Sequence, residues 1–213
     1  MECHGFTYNV KKRTWVYPID DPTAPAPGAT WVWGINDSGV LAGFYAIPAS
    51  TATMGMLDQA GVFTDVFMDC IGIGTNINTQ VGGINNEGYT AGSCQTVGFS
   101  GPQIFSWVWA LGDPTIFRCP ANAFNSSARA INTGGLVVGS FTYGAADGGY
   151  VARYGNCFET VNYPGATNTE LTGVNDSGTA IGWAFTTNYF GFFYDTSSGQ
   201  FTAITGPAAA KLG

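Results

Sequence analysis

The decapeptide Gly34-Ile35-Asn36-Asp37-Ser38-Gly39-Val40-Leu41-Ala42-Gly43 decides how the rest of the chain is read. It returns as Gly83-Ile84-Asn85-Asn86-Glu87-Gly88-Tyr89-Thr90-Ala91-Gly92, as Ala130-Ile131-Asn132-Thr133-Gly134-Gly135-Leu136-Val137-Val138-Gly139, and as Gly173-Val174-Asn175-Asp176-Ser177-Gly178-Thr179-Ala180-Ile181-Gly182. Successive Asn residues are 49, 47 and 43 positions apart. Every copy has Gly three and seven positions after its Asn, without gaps. An Asn opening a tight turn accepts from backbone N–H groups two residues on, and a Gly three positions later supplies the positive φ needed to enter the partner strand. Asn36, Gly39, Asn85, Gly88, Asn132, Gly135, Asn175 and Gly178 are therefore read as turn residues joining two short strands, c and d. The second glycines, Gly43, Gly92, Gly139 and Gly182, fall inside strand d. There a missing side chain marks close approach, which the pattern assigns to an aromatic of the next unit.

Working outward, an aromatic half-unit precedes each copy: Gly5-Phe6-Thr7-Tyr8, Gly55-Met56-Leu57, Ile104-Phe105-Ser106-Trp107 and Gly149-Tyr150-Val151-Ala152, with Gly191-Phe192-Phe193-Tyr194 as a fifth. Each leads through a polar turn to a second apolar run such as Phe158-Glu159-Thr160-Val161, giving strands a and b. Four short strands in roughly 40–50 residues is the arithmetic of a β-propeller blade. The expected fold is an all-β propeller of four-stranded antiparallel blades, five in number. Four blades plus an extra hairpin is the alternative, and an excerpt of a longer array the third. One domain spans 1–207, with units starting near 5, 55, 104, 149 and 191, and 208–213 reads as a C-terminal tail or cloning scar.

Composition agrees with strands. The chain has 213 residues, 31 of them Gly, 15% aromatic and 10% charged, with a net charge of −7. β-Branched and aromatic residues suit pleated strands, and Gly and Asn suit the turns between them. The acidic balance argues against nucleic acid, which requires a clustered cationic surface. No stretch reads as a membrane span. The single His4 makes a His-based triad or a His-rich zinc site unworkable, no phosphate-cradling Gly-x-x-x-x-Gly-Lys-Ser/Thr occurs, and the acidic turns lack the calcium-loop spacing. No catalytic residue, metal or cofactor is assigned. Of the five cysteines, Cys3, Cys70, Cys94 and Cys119 fall at the end of the sheets carrying the b–c and d–a connections, where one or two disulfides are conceivable. Cys157 falls at the other end and is expected free.

The pairing of His4-Gly5-Phe6-Thr7-Tyr8 with Ile-Asn-x-x-Gly-x-x-x-Gly resembles the bacterial extracellular HAF repeats, named for a His-Ala-Phe signature. The resemblance spans essentially the whole chain as four and a half units, of which only the first keeps a His and none spells His-Ala-Phe. It implies an exported, β-propeller-like module without catalytic residues to carry over. That places the protein outside the cell or in the periplasm, with a signal peptide absent from Met1-Glu2-Cys3-His4.

The b–c and d–a connections are longer and more varied than the a–b and c–d turns, so recognition is expected on their face. Three positions before each Asn the repetition gives way to Trp33, Gly82, Arg129 and Thr172. Trp33, Asn76, Asn78, Asn125, Arg129, Asp147, Asn168 and Glu170 form the candidate ligand surface, because Trp offers a stacking face and Asn, Asp and Arg satisfy hydroxyls. Trp31, Trp107, Trp109 and Trp183 read as core fillers. The expected function is non-enzymatic binding of a glycan or surface partner. The alternatives are a polysaccharide hydrolase or lyase using a pair among Asp147, Glu170 and Asp21, and a structural assembly module.

Overall fold

The computed structural model describes residues 3–25, 28–70, 75–98, 101–144 and 146–204; the tail at 208–213 lies outside them. Their regular structure is all β. A hairpin, β1 (Gly5–Asn9) and β2 (Thr14–Ile19), is followed by four four-stranded antiparallel meanders. Unit 1 holds β3 (Thr30–Ile35), β4 (Leu41–Ala46), β5 (Thr53–Gln59) and β6 (Val62–Val66). Unit 2 holds β7 (Thr75–Ile84), β8 (Thr90–Gly98), β9 (Gly101–Ala110) and β10 (Asp113–Phe117). Unit 3 holds β11 (Asn125–Ile131), β12 (Leu136–Tyr143), β13 (Ala146–Arg153) and β14 (Asn156–Val161), and unit 4 holds β15 (Asn168–Val174), β16 (Thr179–Phe185), β17 (Tyr189–Asp195) and β18 (Gln200–Ala203). Units 1 and 2 join into one open eight-stranded sheet through the parallel pair Thr53–Asn78, and units 3 and 4 into another through Asp147–Asn168.

The order within a unit is c–d–a–b. The sequence count from Gly5 is therefore half a unit out of phase: strand a pairs with the d before it, and the b–c connection crosses to the next unit.

Each turn forms as its chemistry requires. Gly39, Gly88, Gly135 and Gly178 have φ of 79°, 78°, 73° and 83°. The Asn Oδ1 accepts from the backbone N–H four residues on, at 3.0 Å for Asn36, 2.9 Å for Asn85, 2.8 Å for Asn132 and 2.9 Å for Asn175. The second Gly of each copy lies opposite a large, fully buried residue of strand a in the same unit: Gly43–Met56, Gly92–Trp107, Gly139–Tyr150 and Gly182–Phe192. In the count from Gly5 these residues open the next unit, so the close neighbour is the expected one and only the boundary between units moves. A Cβ at Gly92, Gly139 or Gly182 would press on that ring, and at all four glycines it would overlap a carbonyl oxygen of the bulged strand c.

The core lies between units. Three clusters of buried residues are divided between consecutive meanders: Ala42 with Val81 and Trp107, Val108 with Val137 and Tyr150, and Val138 with Leu171 and Phe192. Along β12, Val137 faces one cluster while Leu136 and Val138 face the other, as the two-residue period of a strand dictates. A buried hydroxyl repeats at each junction. Thr30, Thr79, Ser126 and Thr169 accept the backbone N–H of Asp21, Met68, Cys119 and Tyr163, tying the segment after strand b to the next strand c.

Two disulfides reinforce the array. Cys70–Cys94 has a Cα separation of 5.9 Å and Cys119–Cys157 one of 5.2 Å, leaving Cys3 free. The second corrects the expectation that Cys157 is free. Strands do not run in step from unit to unit: β10 lies across the a–b corner of unit 3, where Gly155 packs against Thr115 and Phe117, so opposite ends meet. Strand twist produces such crossings.

Candidate functional site

The repeated Asn side chains do more than shape turns. Asn36 Nδ2 donates to the Asn85 carbonyl at 3.2 Å, Asn85 Nδ2 to that of Asn132 at 2.8 Å, and Asn132 Nδ2 to that of Asn175 at 2.9 Å. The four turns therefore form a one-directional ladder, with Asn85 and Asn132 buried. Small residues two positions before the Asn let the c strands approach: Gly34 lies against Gly83, and Gly83 against Ala130.

Just inside this ladder, side chains from different units meet. The Arg129 guanidinium of unit 3 sits 5.2 Å from the ring centre of Trp33 in unit 1, and its Nε donates to Glu170 of unit 4 at 2.7 Å. Gly82, the equivalent position in unit 2, leaves room for the Ala128 and Arg129 backbone.

Arg129 and Glu170 form part of the wall of a cavity of about 300 Å³. The cavity also takes in Asn125, Asp147, Ser127, Ser140, Thr142 and Trp183, with Gln80 and Ser93 from unit 2. These come mainly from equivalent places: the residue after the junction hydroxyl (Gln80, Ser127, Glu170) and the residue after the second Gly (Ser93, Ser140, Trp183). In unit 1 the same two places hold Trp31 and Phe44, stacked 5.0 Å apart with Trp33 edge-on to Phe44. Tyr189 meets Trp183 edge-on at 5.4 Å. Thr142 Oγ1 is buried with no hydrogen-bond partner among the described residues, a group that a polar guest would satisfy. Behind the wall Tyr150, Ser106 and Ser126 form a buried hydroxyl chain with contacts of 2.7 and 2.6 Å. Burial pushes the Tyr150 phenol far above its ordinary range, against the hydrogen bonds of Ser106 and Ser126.

Of the eight residues selected from sequence, Asn125, Arg129, Asp147 and Glu170 line this cavity, and Trp33 and Asn168 attach to it through Arg129 and Asp147. Asn78 lines a neighbouring polar cleft with Thr53, Gln80 and Gln95. The side chain of Asn76 lies outside the described residues. Three of these Asn also join units: Asn78 Oδ1 accepts from Thr53 N–H at 2.8 Å, Asn125 Oδ1 from Ile104 N–H at 2.9 Å, and Asn168 Nδ2 donates to Asp147 at 2.6 Å. Among the tryptophans read as core, Trp107 is fully buried, but Trp109 is 44% exposed and Trp183 faces the cavity. Asp21 belongs to the β2–β3 connection, held by Thr23.

Sequence reasoning missed Gln80, Ser93, Ser140 and Trp183. For Ser93, Ser140 and Trp183 the available signal was the variation immediately after the second Gly of each copy. Among the described residues no three His, Cys, Asp or Glu side chains cluster closely enough to hold a metal ion. No helix among them is long and apolar enough to cross a membrane. No family model matches the chain, and no curated protein matches its sequence.

Proposed function

We propose that the chain is a propeller-type binding module that takes a glycan in the cavity where its units converge. The observation that carries this reading is Arg129, which lies over Trp33 and pairs with Glu170, linking units 1, 3 and 4 at the cavity wall. A linear stack keeps unit 1 from unit 3, whereas a radial array brings non-adjacent units together near its axis. Innermost c strands with small residues before each Asn support the same arrangement. The lining suits sugar: Trp183 offers a ring for C–H faces, while amides, hydroxyls and a fixed ion pair offer donors and acceptors. Two disulfides favour an oxidising location outside the cytoplasm, in keeping with the resemblance to exported HAF repeats.

A glycan array followed by titration calorimetry tests the proposal. The expected outcome is a bound glycan whose affinity drops at least tenfold, by about 1.4 kcal/mol, in Trp183→Ala. Equal affinity in that variant, or no glycan bound, would overturn it. A second reading is favoured by Asp147 and Glu170 lining one cavity, since paired carboxylates perform glycoside hydrolysis. Turnover of the bound glycan, lost in Asp147→Asn, would replace binding alone with catalysis.

A further inference from the structure

The hairpin β1–β2 occupies the place of strands a and b in a unit whose c and d strands are missing among the described residues. Its attachment to unit 1 repeats the other junctions. The isolated parallel bridge Cys3–Ala29 stands where Thr53–Asn78 and Asp147–Asn168 stand, and Thr30 Oγ1 accepts Asp21 N–H as Thr79, Ser126 and Thr169 accept theirs. In every complete unit strand a pairs with d on one edge and b on the other. Among the described residues strand β1 pairs only with β2, and its other edge carries no partner strand there.

The consequence shows at one position. Met56, Trp107, Tyr150 and Phe192 are each 0% exposed, whereas Phe6 in the same register is 54% exposed. Beside Phe6 runs a groove of about 380 Å³ between β1 and β3, walled by Tyr8, Trp31, Trp33 and Ile35. In the complete units strand d fills that space, with its Gly lying opposite the residue equivalent to Phe6.

The Asn ladder is unfinished at the same end. The carbonyls of Asn85, Asn132 and Asn175 each receive a side-chain amide from the preceding turn, and that of Asn36 receives none among the described residues. At the far end Asn175 repeats the turn bond to Thr179 N–H, and no following turn lies among the described residues.

We propose that the open edge of β1 is a docking site for one β-hairpin with the chemistry of this repeat's own c–d motif, Asn-x-x-Gly-x-x-x-Gly. Its d strand adds antiparallel to β1, its second Gly covers Phe6, and its Asn side chain donates to the Asn36 carbonyl. The four complete units specify the register. A bulky residue in place of that Gly cannot enter, because a Cβ there meets both the partner ring and the bulged strand c.

The test splices a copy of residues 165–188 directly ahead of Cys3, so that Phe185-Thr186-Thr187-Asn188 becomes the d–a connection it already is in unit 4. Covering Phe6 and pairing β1 is expected to raise Tm by about 5 °C or more. Amide exchange across Gly5–Asn9 is expected to slow at least tenfold. The same splice carrying Gly182→Val in the copy is expected to lose both effects. Slow exchange in the unspliced chain together with dimerisation would overturn the proposal in favour of edge pairing between two copies. A spliced chain with unchanged Tm and exchange, or one indifferent to Gly182→Val, would overturn it outright.

Discussion

The ladder of turns and the cavity beside it lie on the same strands, yet they treat repetition in opposite ways. In the turns Asn36, Asn85 and Asn132 make the same two kinds of bond, one within the turn and one to the next unit, and Asn175 repeats the first of them. In the cavity equivalent places hold Gln80, Ser127 and Glu170, or Ser93, Ser140 and Trp183. A polar group buried at a unit boundary must be satisfied wherever it recurs, so the solution is copied. The wall of an open cavity carries no such constraint, and there the copies diverge. Sameness marks the scaffold, and difference marks the wall of the cavity.

Substitutions at the second Gly should break this comparison most severely. Gly139→Val would place side-chain atoms on the Ser127 carbonyl and the Tyr150 ring. A loss of about 4 kcal/mol or more, read as failure to fold or a collapse of Tm, is expected. Next comes the ladder itself. Asn132→Ala removes the bonds to Leu136 N–H and the Asn175 carbonyl, with an expected cost of about 2–3 kcal/mol by denaturant titration. Asn175→Ala, which is exposed and among the described residues makes only the turn bonds, should cost about 1 kcal/mol. Equal losses at both positions would mean that turn formation alone sets the energetics.

Cavity variants should behave in the opposite sense. Trp183→Ala and Ser140→Ala are expected to change stability by no more than about 1 kcal/mol while altering ligand affinity. A smaller effect concerns pH. The folded chain holds the Tyr150 proton above the ordinary pKa of 10.0, so the unfolded chain releases it first. The stabilisation is therefore complete below pH 10 and falls as pH rises beyond it. Tyr150→Phe should flatten the alkaline limb of a Tm–pH curve, and an unchanged limb would assign it to other groups. Smallest is Asp195, whose carboxyl is lowered by hydrogen bonds from the Ser197 hydroxyl and the backbone N–H groups of Ser197 and Ser198. Ser197→Ala should raise its pKa in an NMR titration without a measurable stability change, because the group is exposed.

The turns were legible because Asn and Gly at fixed spacing have a local mechanism, and a repeat length of 43–49 residues left few alternatives to strands. The ladder was not, since an Nδ2 donor gives no sign in sequence of which carbonyl it reaches. Phase was lost because the b–c and d–a connections have similar composition, and only pairing shows that Gly43 faces Met56. Cys157 was misplaced by treating strands as aligned when the outer ones cross. Trp33 and Arg129 were selected where the repeat departs from itself and Asp147 and Glu170 from the long connections, and the fold brings Arg129, Asp147 and Glu170 to one cavity with Trp33 against Arg129. Trp183 was lost to the habit of assigning strand tryptophans to cores.

The central claim is that different units converge at Arg129. The Arg129 Nε–H resonance tests it most directly, since the ring of Trp33 shields it and Glu170 holds its proton. The account predicts that Trp33→Leu and Glu170→Gln each move this signal, and that Glu170→Gln also speeds its exchange with water. A resonance indifferent to both substitutions would contradict the convergence.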